Sequence, residues 1–96
     1  MPAYALFDNL AVHDPDALER YKRETAPIVA RHGGRYVVLG GQVDLVEGDW
    51  RPTYLVMIEF PTLAHARRWY ASEEYRDLRA LRLGATRSTG VIVEGV

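Results

Sequence analysis

Continuous apolar stretches alternate with amphipathic ones along the chain. An apolar residue at every third or fourth position predicts a helix, whereas a short and largely apolar run predicts a strand. Strands are predicted at 3–12, 36–46, 54–60 and 86–94, and helices at 15–32, 62–70 and 72–84.

Capping residues mark the ends of these helices. Asp14 followed by Pro15 is a typical helix start, because the aspartate accepts from free backbone amides and proline fits the first turn. The two glycines at 33–34 predict a glycine-terminated helix end. Thr62 and Ser72 are each expected to begin a further helix, so the second helical region has two segments.

The second and third strands are predicted to form an antiparallel hairpin. The turn-like stretch 47–52 joins them. Two glycines at 40–41 interrupt the 36–46 strand, and paired glycines inside a strand predict a bulge or a close backbone approach.

The order β-α-β-β-α-β is the split βαβ pattern of ferredoxin-like α+β folds. It predicts a four-stranded antiparallel sheet with two helices on one face. The chain has 96 residues and no repeat or linker. We therefore expect a single domain over residues 1–96.

The predicted strands are apolar on both faces. In the first strand the residues that point to either face are apolar, for example Leu6 on one face and Phe7 on the other. In the third strand the adjacent residues Val56 and Met57 are likewise both apolar and point to opposite faces. A sheet covered on one face only would alternate apolar and polar residues. We therefore expect a homodimer that buries the second sheet face against a partner.

Composition and charge exclude several classes of protein. Twelve basic and thirteen acidic residues give a net charge of −1, without the basic excess expected of a nucleic-acid or anionic-membrane partner. The chain has no cysteine, which excludes disulfides and thiolate chemistry. It shows neither a signal-peptide pattern nor a long apolar run, so a cytoplasmic location without membrane contact is expected.

Three charged residues are candidates for acid–base or anion-binding chemistry. Glu59 ends an apolar strand, where a carboxylate could act as a general base or hold an arginine. Alternatively it forms a structural ion pair with Arg35 or Arg82, or it is simply exposed at the strand end. The two arginines could clamp a carboxylate or enolate, and the alternative for Arg82 is a place on a solvated helix surface.

Asp8 and Asn9 interrupt the apolar first strand. Adjacent strand residues point to opposite faces, so one of the two must face the helix layer or the dimer layer. They could line a ligand pocket, or they could mark a bulge and satisfy a neighbouring strand.

Aromatic residues on the helices could form the walls of a small-molecule pocket. An aromatic stripe at helical spacing could equally belong to the core. The three histidines, at 13, 32 and 65, lack ligand-like spacing, so neither a metal site nor a cofactor is predicted. The aromatic candidates for substrate binding are Tyr21, Trp69, Tyr70 and Tyr75.

A series of short motifs spans nearly the whole chain: Asp14-Pro15-Asp16 with Tyr21, Gly33-Gly34-Arg35-Tyr36, Gly40-Gly41, Glu47-Gly48-Asp49-Trp50-Arg51-Pro52, Glu59-Phe60-Pro61, Ala66, Trp69-Tyr70, Ser72-Glu73-Glu74-Tyr75, Leu81-Arg82 and Val93-Glu94-Gly95. In this order and spacing they resemble the bacterial proteins grouped as domain of unknown function 1330, within the dimeric α+β barrel superfamily. The resemblance implies a dimer closed through its sheets and no particular activity. Relatives in the wider superfamily include cofactor-independent monooxygenases, isomerases, dehydratases and haem-handling enzymes.

Together these features predict a small-molecule-binding homodimer. We expect a cofactor-independent enzyme for a small organic acid or enolisable compound, with Glu59 as acid–base and Arg82 or Arg35 as anion clamp. The alternative is a non-catalytic, ligand-sensing or structural subunit. Neither the ligand nor the reaction follows from the sequence.

Overall fold

Four strands and three helices follow one another in the order that the hydrophobic pattern predicts. The computed structural model describes all residues, 1–96. The elements are β1 (Ala3–Val12), α1 (Pro15–Arg31), β2 (Arg35–Leu39), β3 (Leu55–Phe60), α2 (Leu63–Ala71), α3 (Glu73–Ala85) and β4 (Thr86–Glu94).

The strands form one antiparallel sheet in the order β2-β3-β1-β4. This is the α+β ferredoxin-like fold, and the prediction of a four-stranded antiparallel sheet is confirmed. The central strand β1 pairs with β3 on one side and with β4 on the other, so that Phe7 lies between Val56 and Gly90. Directly paired residues share a face of the sheet. The register therefore shows which side chains meet the helices.

Side-chain caps fix two of the helix starts. The Asp14 carboxylate accepts a hydrogen bond of 3.1 Å from the Ala17 amide, and the Thr62 hydroxyl accepts one of 3.2 Å from the His65 amide. Ser72 occupies the start of α3, but its hydroxyl donates to the Trp69 carbonyl at 2.9 Å and caps no α3 amide. Ser72 therefore separates α2 from α3 chiefly through its extended backbone.

The second strand is shorter than the predicted 36–46. It ends at Leu39 because Gly40 has a φ of +65°, a left-handed conformation that leaves the strand. A Cβ on Gly40 would overlap the Tyr54 ring, lying 2.7 Å from its Cζ atom, so an aromatic side chain and not another backbone segment approaches closely at this position. Residues 40–54 form an irregular connection, and β2 still pairs with β3 as the predicted hairpin.

The core lies between the sheet and the three helices, and Trp69 contacts several of its aromatic rings. The Trp69 ring is fully buried, and its centroid lies 4.5 Å from that of Tyr75, 5.4 Å from that of Phe60 and 6.2 Å from that of Phe7. Aromatic pairs at these separations add stability beyond the area that they bury. The sheet residues of this core point to the helix-covered face.

The opposite face of the sheet, which we call the open face, carries no helix. Val91 and Val93 of β4 are 56% and 52% exposed there, and their cross-strand neighbours on β1 are Leu6 and Tyr4. Met57 continues the apolar row on β3. The apolar character of both faces, predicted from the strands, is therefore present in the fold. No helix has the length and apolar content needed to cross a membrane.

Candidate ligand-binding cavity

A cavity of about 210 Å³ lies between α1 and the helix-covered face of the sheet. We call it the α1 cavity. Its lining is mostly apolar, with strands β1, β2 and β3 on one side and α1 on the other. Ligand sites in proteins are typically apolar clefts with a few polar groups that fix orientation. The polar groups of the α1 cavity therefore decide what it can bind.

One face of α1 supplies the helical wall. Leu18, Tyr21, Lys22 and Thr25 line the cavity at spacings of three and four residues. Side chains at these spacings lie above one another on a helix. The same periodicity that predicts the helix therefore places these four residues in the cavity.

Arg82 is the only cationic group buried at the cavity. It is 4% exposed on α3, and its guanidinium carbon lies 4.9 Å from the Phe7 ring centroid and 5.9 Å from the Tyr21 ring centroid. Its Nη1 donates to the Ser88 hydroxyl at 2.8 Å, while its Nε has no hydrogen-bond partner and no carboxylate pairs with the side chain. A buried cation is costly unless it is paired. The buried guanidinium of Arg82 therefore has a charge that a bound anion could pair with.

Two further buried polar atoms at the cavity lack a partner. They are the Oδ1 atom of Asn9 on β1 and the hydroxyl oxygen of Thr25 on α1. Asn9 is paired with Ser88 in the sheet register, and Ser88 is the residue that Arg82 reaches. Buried polar groups are normally hydrogen-bonded, so these atoms are available to an ordered water or to a bound molecule.

Tyrosine hydroxyls complete the polar set. The hydroxyls of Tyr21 and Tyr75 are 2.7 Å apart and share a hydrogen bond. Burial raises the pKa of Tyr75 above its ordinary value, the Tyr21 hydroxyl adds to this, and the Arg82 guanidinium opposes it. Burial likewise raises the pKa of Tyr36, which also lines the cavity. Tyr36 and Tyr75 therefore stay protonated at neutral pH and can donate hydrogen bonds.

Lys22 and Tyr54 lie together in the cavity wall. The Lys22 ammonium is 5.0 Å from the Tyr54 ring centroid, within the range of a cation–π contact. Tyr54 is the last residue of the irregular 40–54 segment, so the position of that segment sets one edge of the cavity.

The structure brings together only some of the residues proposed from the sequence. Asn9, Tyr21 and Arg82 line the α1 cavity, and Tyr75 contacts it through the Tyr21 hydroxyl. Their roles in ligand binding stay predictions. The other candidates occupy three different surroundings, described next.

Glu59 and Arg35 lie on the open face, away from Arg82. Glu59 accepts from Arg35 Nε at 3.0 Å and from the Tyr4 hydroxyl at 3.2 Å. The alternative of an ion pair between Glu59 and Arg35 is therefore the one present. Glu59 follows Ile58, which faces the helices, and strand alternation points the two side chains in opposite directions. Glu59, expected as the acid–base, and Arg82, expected as the anion clamp, therefore lie on opposite faces of the sheet.

Asp8 is buried, 1% exposed, and anchors the irregular connection. Its carboxylate accepts from the amides of Thr53 and Tyr54 at 3.0 and 3.1 Å and from Trp50 Nε1 at 3.2 Å. All of the donors belong to one segment of the chain. The donors lie in the connection before β3, so Asp8 satisfies that connection and not a neighbouring strand, and it does not line the α1 cavity.

Trp69 and Tyr70 do not line the α1 cavity either. Trp69 is part of the aromatic core, and its indole N–H has no partner. Tyr70 packs beneath Arg79, whose guanidinium lies 5.1 Å from the Tyr70 ring centroid and donates to the Tyr70 carbonyl.

Sequence reasoning missed four polar cavity residues: Lys22, Thr25, Tyr36 and Tyr54. Thr25 gave a usable signal, because it lies on the apolar stripe of α1 where a hydroxyl needs a partner. Tyr36 and Tyr54 gave none, since an aromatic residue at a strand end is equally suited to the core.

The charged side chains form no metal centre. No group of three or more histidine, cysteine, aspartate or glutamate side chains is placed to hold a metal ion. The polar groups that line the α1 cavity are arginine, lysine, amide and hydroxyl groups.

The motifs that run from the first strand to the last are those of one family. Residues 2–96 match the family described as Domain of unknown function (DUF1330). The chain belongs to this family. The resemblance inferred from the sequence is thereby confirmed, and no curated protein matches the chain.

Several solved structures share the fold of this DUF1330 chain. A protein of unknown function from Rhodopseudomonas palustris is 21% identical, with a TM-score of 0.74 over 99% of this chain and 82% of that one. SnoaB, a cofactor-independent oxygenase from Streptomyces nogalater, is 18% identical, with a TM-score of 0.62 over 99% and 91%. A dimeric ferredoxin-like protein of unknown function from Jannaschia sp. CCS1 is 15% identical, with a TM-score of 0.65 over 99% and 100%.

Proposed function

We propose that this DUF1330 protein binds a small organic anion, or a compound that enolises to one, in the α1 cavity of a homodimer. The observation that carries the proposal is the buried Arg82 without a carboxylate partner. An arginine fork matches a carboxylate or an enolate oxygen, and charge-assisted hydrogen bonds are about twice as strong as neutral ones.

The volume of the cavity sets the size of the ligand. A cavity of about 150 Å³ is sufficient for benzene in a well-studied protein core. The α1 cavity, at about 210 Å³, therefore fits one ring with a short polar substituent. The apolar lining would hold the ring and Arg82 the substituent.

The cavity residues also suit an enolate. Arg82 would stabilise the negative oxygen that forms when a carbon acid loses its proton, and Asn9 and Tyr21 would orient the compound. SnoaB, which shares the fold, is described as a cofactor-independent oxygenase, and this likeness supports chemistry without a bound cofactor.

The open face supports the homodimer. Its apolar row includes Leu6, Met57, Val91 and Val93, two of them more than half exposed. Burial of such a row stabilises an interface by about 25 cal/mol for each Å² of apolar surface removed from water. The similar Jannaschia protein is described as dimeric, which agrees with this assembly.

The binding proposal is tested with benzoate and its neutral analogue benzamide. Isothermal titration should show tighter binding of benzoate than of benzamide. Arg82→Gln should weaken benzoate roughly 10- to 100-fold, the loss expected for hydrogen bonds to a charged group. Arg76→Gln is the matched control, because Arg76 is exposed on the same helix. Equal affinity of wild type and Arg82→Gln for benzoate would overturn the role of Arg82.

A second candidate function is ligand sensing without turnover. The observation that favours it is the absence of carboxylate and histidine side chains from the cavity lining, so neither a carboxylate nor an imidazole base faces the ligand. The two candidates differ with phenylpyruvate, a single-ring enolisable acid. Protein-dependent exchange of its methylene protons for deuterium supports catalysis, whereas binding without exchange supports sensing.

A further inference from the structure

We infer that Phe7, stacked against Arg82, is a partition that limits the ligand of this protein to a single ring. The inference deepens the proposed function and rests on it. It concerns the size of the ligand, whereas the proposed function concerns its charge.

A second cavity of about 300 Å³ lies on the other side of Phe7. We call it the β4 cavity. It is lined by Ser88, Gly90, Val91 and Ile92 of the edge strand β4 and by Tyr70 and Leu83 of the helices. The α1 and β4 cavities therefore lie on either side of Phe7, the first beneath α1 and the second at the β4 edge of the sheet.

Phe7 and Arg82 are the residues that line both cavities. The Arg82 guanidinium lies over the Phe7 ring at 4.9 Å, so the two side chains form one stack. A stack shared by two neighbouring cavities is a wall between them. Because Arg82 also holds the proposed anion, a ligand bound there would meet the Phe7 ring at its side.

The sheet register places Phe7 between the two cavities. Its partner on β3 is Val56, which lines the α1 cavity, and its partner on β4 is Gly90, which lines the β4 cavity. A tilt of the Phe7 ring toward one strand or the other would therefore enlarge one cavity at the expense of the other.

Gly90 decides which way the ring lies. A Cβ at position 90 would come within 2.6 Å of Phe7 Cε1, closer than real Cβ atoms come to other heavy atoms. The Phe7 ring thus rests in space that exists only because residue 90 is a glycine. Any larger residue there would push the ring away from β4 and toward the α1 cavity.

The test compares a one-ring probe, benzoate, with a two-ring probe, 2-naphthoate. Phe7→Ala removes the partition and should improve the affinity for 2-naphthoate relative to benzoate by about tenfold or more, as expected for added apolar groups in a pocket. Phe7→Leu makes a smaller change and should shift the ratio of 2-naphthoate affinity to benzoate affinity in the same direction. If Phe7→Ala does not fold, the Phe7→Leu variant tests the partition.

Gly90→Ala should have the opposite effect. The displaced ring would enter the α1 cavity, so benzoate should bind about tenfold more weakly, with no gain for 2-naphthoate. Gly84→Ala is the matched control, because a Cβ on Gly84 meets nothing within 4 Å. It should leave both affinities unchanged.

The possible results separate the two proposals. If benzoate binds and the Phe7 variants keep the wild-type ratio within about twofold, the partition is overturned and the anion site stands. If the wild type binds neither probe, the anion site and the partition both fail. A shift toward 2-naphthoate in the Phe7 variants, with weaker benzoate binding in Gly90→Ala, supports the partition.

Discussion

The two faces of the sheet contain the same kinds of residue in opposite arrangements. On the helix-covered face, the cation Arg82 is buried among aromatic rings and has no carboxylate partner. On the open face, the cation Arg35 is exposed and pairs with Glu59, which also accepts from Tyr4. Each face combines an arginine with apolar and aromatic neighbours, yet only one leaves the charge unpaired.

This contrast indicates how the roles are divided. A satisfied ion pair beside apolar residues is suited to a protein interface, where paired charges fix register. An unsatisfied buried cation beside a cavity is suited to a ligand. We therefore assign assembly to the open face and binding to the helix-covered face, and the following predictions test that division.

The largest effect is expected from Leu6→Arg on the open face. Leu6 lies between Met57 and Val91, so the proposed dimer would bury an unpaired arginine in each copy. The dimer dissociation constant should rise by about 1,000-fold. Sedimentation equilibrium measures it. A variant that remains dimeric at wild-type concentrations would show that assembly uses another surface.

The next largest effect is expected from Asp8→Ala. The change leaves two backbone amides of the 40–54 connection without their acceptor and should lower the free energy of unfolding by roughly 2–4 kcal/mol. Urea titration measures the loss, and hydrogen exchange at the Thr53 and Tyr54 amides locates it. Asp8→Asn is the control, since its side-chain oxygen can still accept. An equal loss in both variants would contradict an anchor through that oxygen.

A pH effect is expected from Tyr75 on the helix-covered face. Its pKa is raised in the folded state, so the native protein keeps the proton that the unfolded chain loses above about pH 10. The free energy of unfolding keeps the full Tyr75 contribution below about pH 10. Above that pH it falls by up to about 1.4 kcal/mol per pH unit. Tyr75→Phe should remove this part of the slope.

Urea titrations between about pH 9 and about pH 11 compare the two proteins. Both lose stability through their other groups, so the difference between the slopes is the measured quantity. Identical slopes would mean that Tyr75 ionises as readily in the folded protein as in the unfolded chain.

The smallest effect on binding is expected from Glu59→Gln. Because Glu59 lies on the open face, benzoate affinity should change by less than about twofold, and stability by less than about 1 kcal/mol, the usual range for a solvated ion pair. Titration with benzoate and urea unfolding measure the two quantities. A large loss of benzoate binding would show that Glu59 is part of the ligand site. Binding would then not be confined to the helix-covered face.

The sequence was sufficient for the fold because local signals agree with one another. Helical periodicity, the Asp14 and Thr62 caps and the apolar strands each predict the same element order. The error at the second strand came from Gly40, whose left-handed backbone ends β2 where a bulge was expected.

The site was less accessible to sequence reasoning because it depends on which face each strand residue takes. Asn9, Tyr21 and Arg82 were found because a polar or aromatic group stood out against an apolar strand or helix. Glu59 stood out in the same way, but the register turns it to the other face. The partition by Phe7 depends on Gly90, which lies three residues before the nearest motif, and no pattern in the chain links the two residues.

The placement of Asp8 between Phe7 and Asn9 has a consequence for how this family can change. Phe7 lines the α1 cavity, Asp8 accepts hydrogen bonds from the 40–54 connection, and Asn9 again lines the cavity. Point substitutions can alter one role at a time. An insertion or deletion within the strand would exchange the faces of every residue beyond it, so the length of β1 is open to far less variation than its composition.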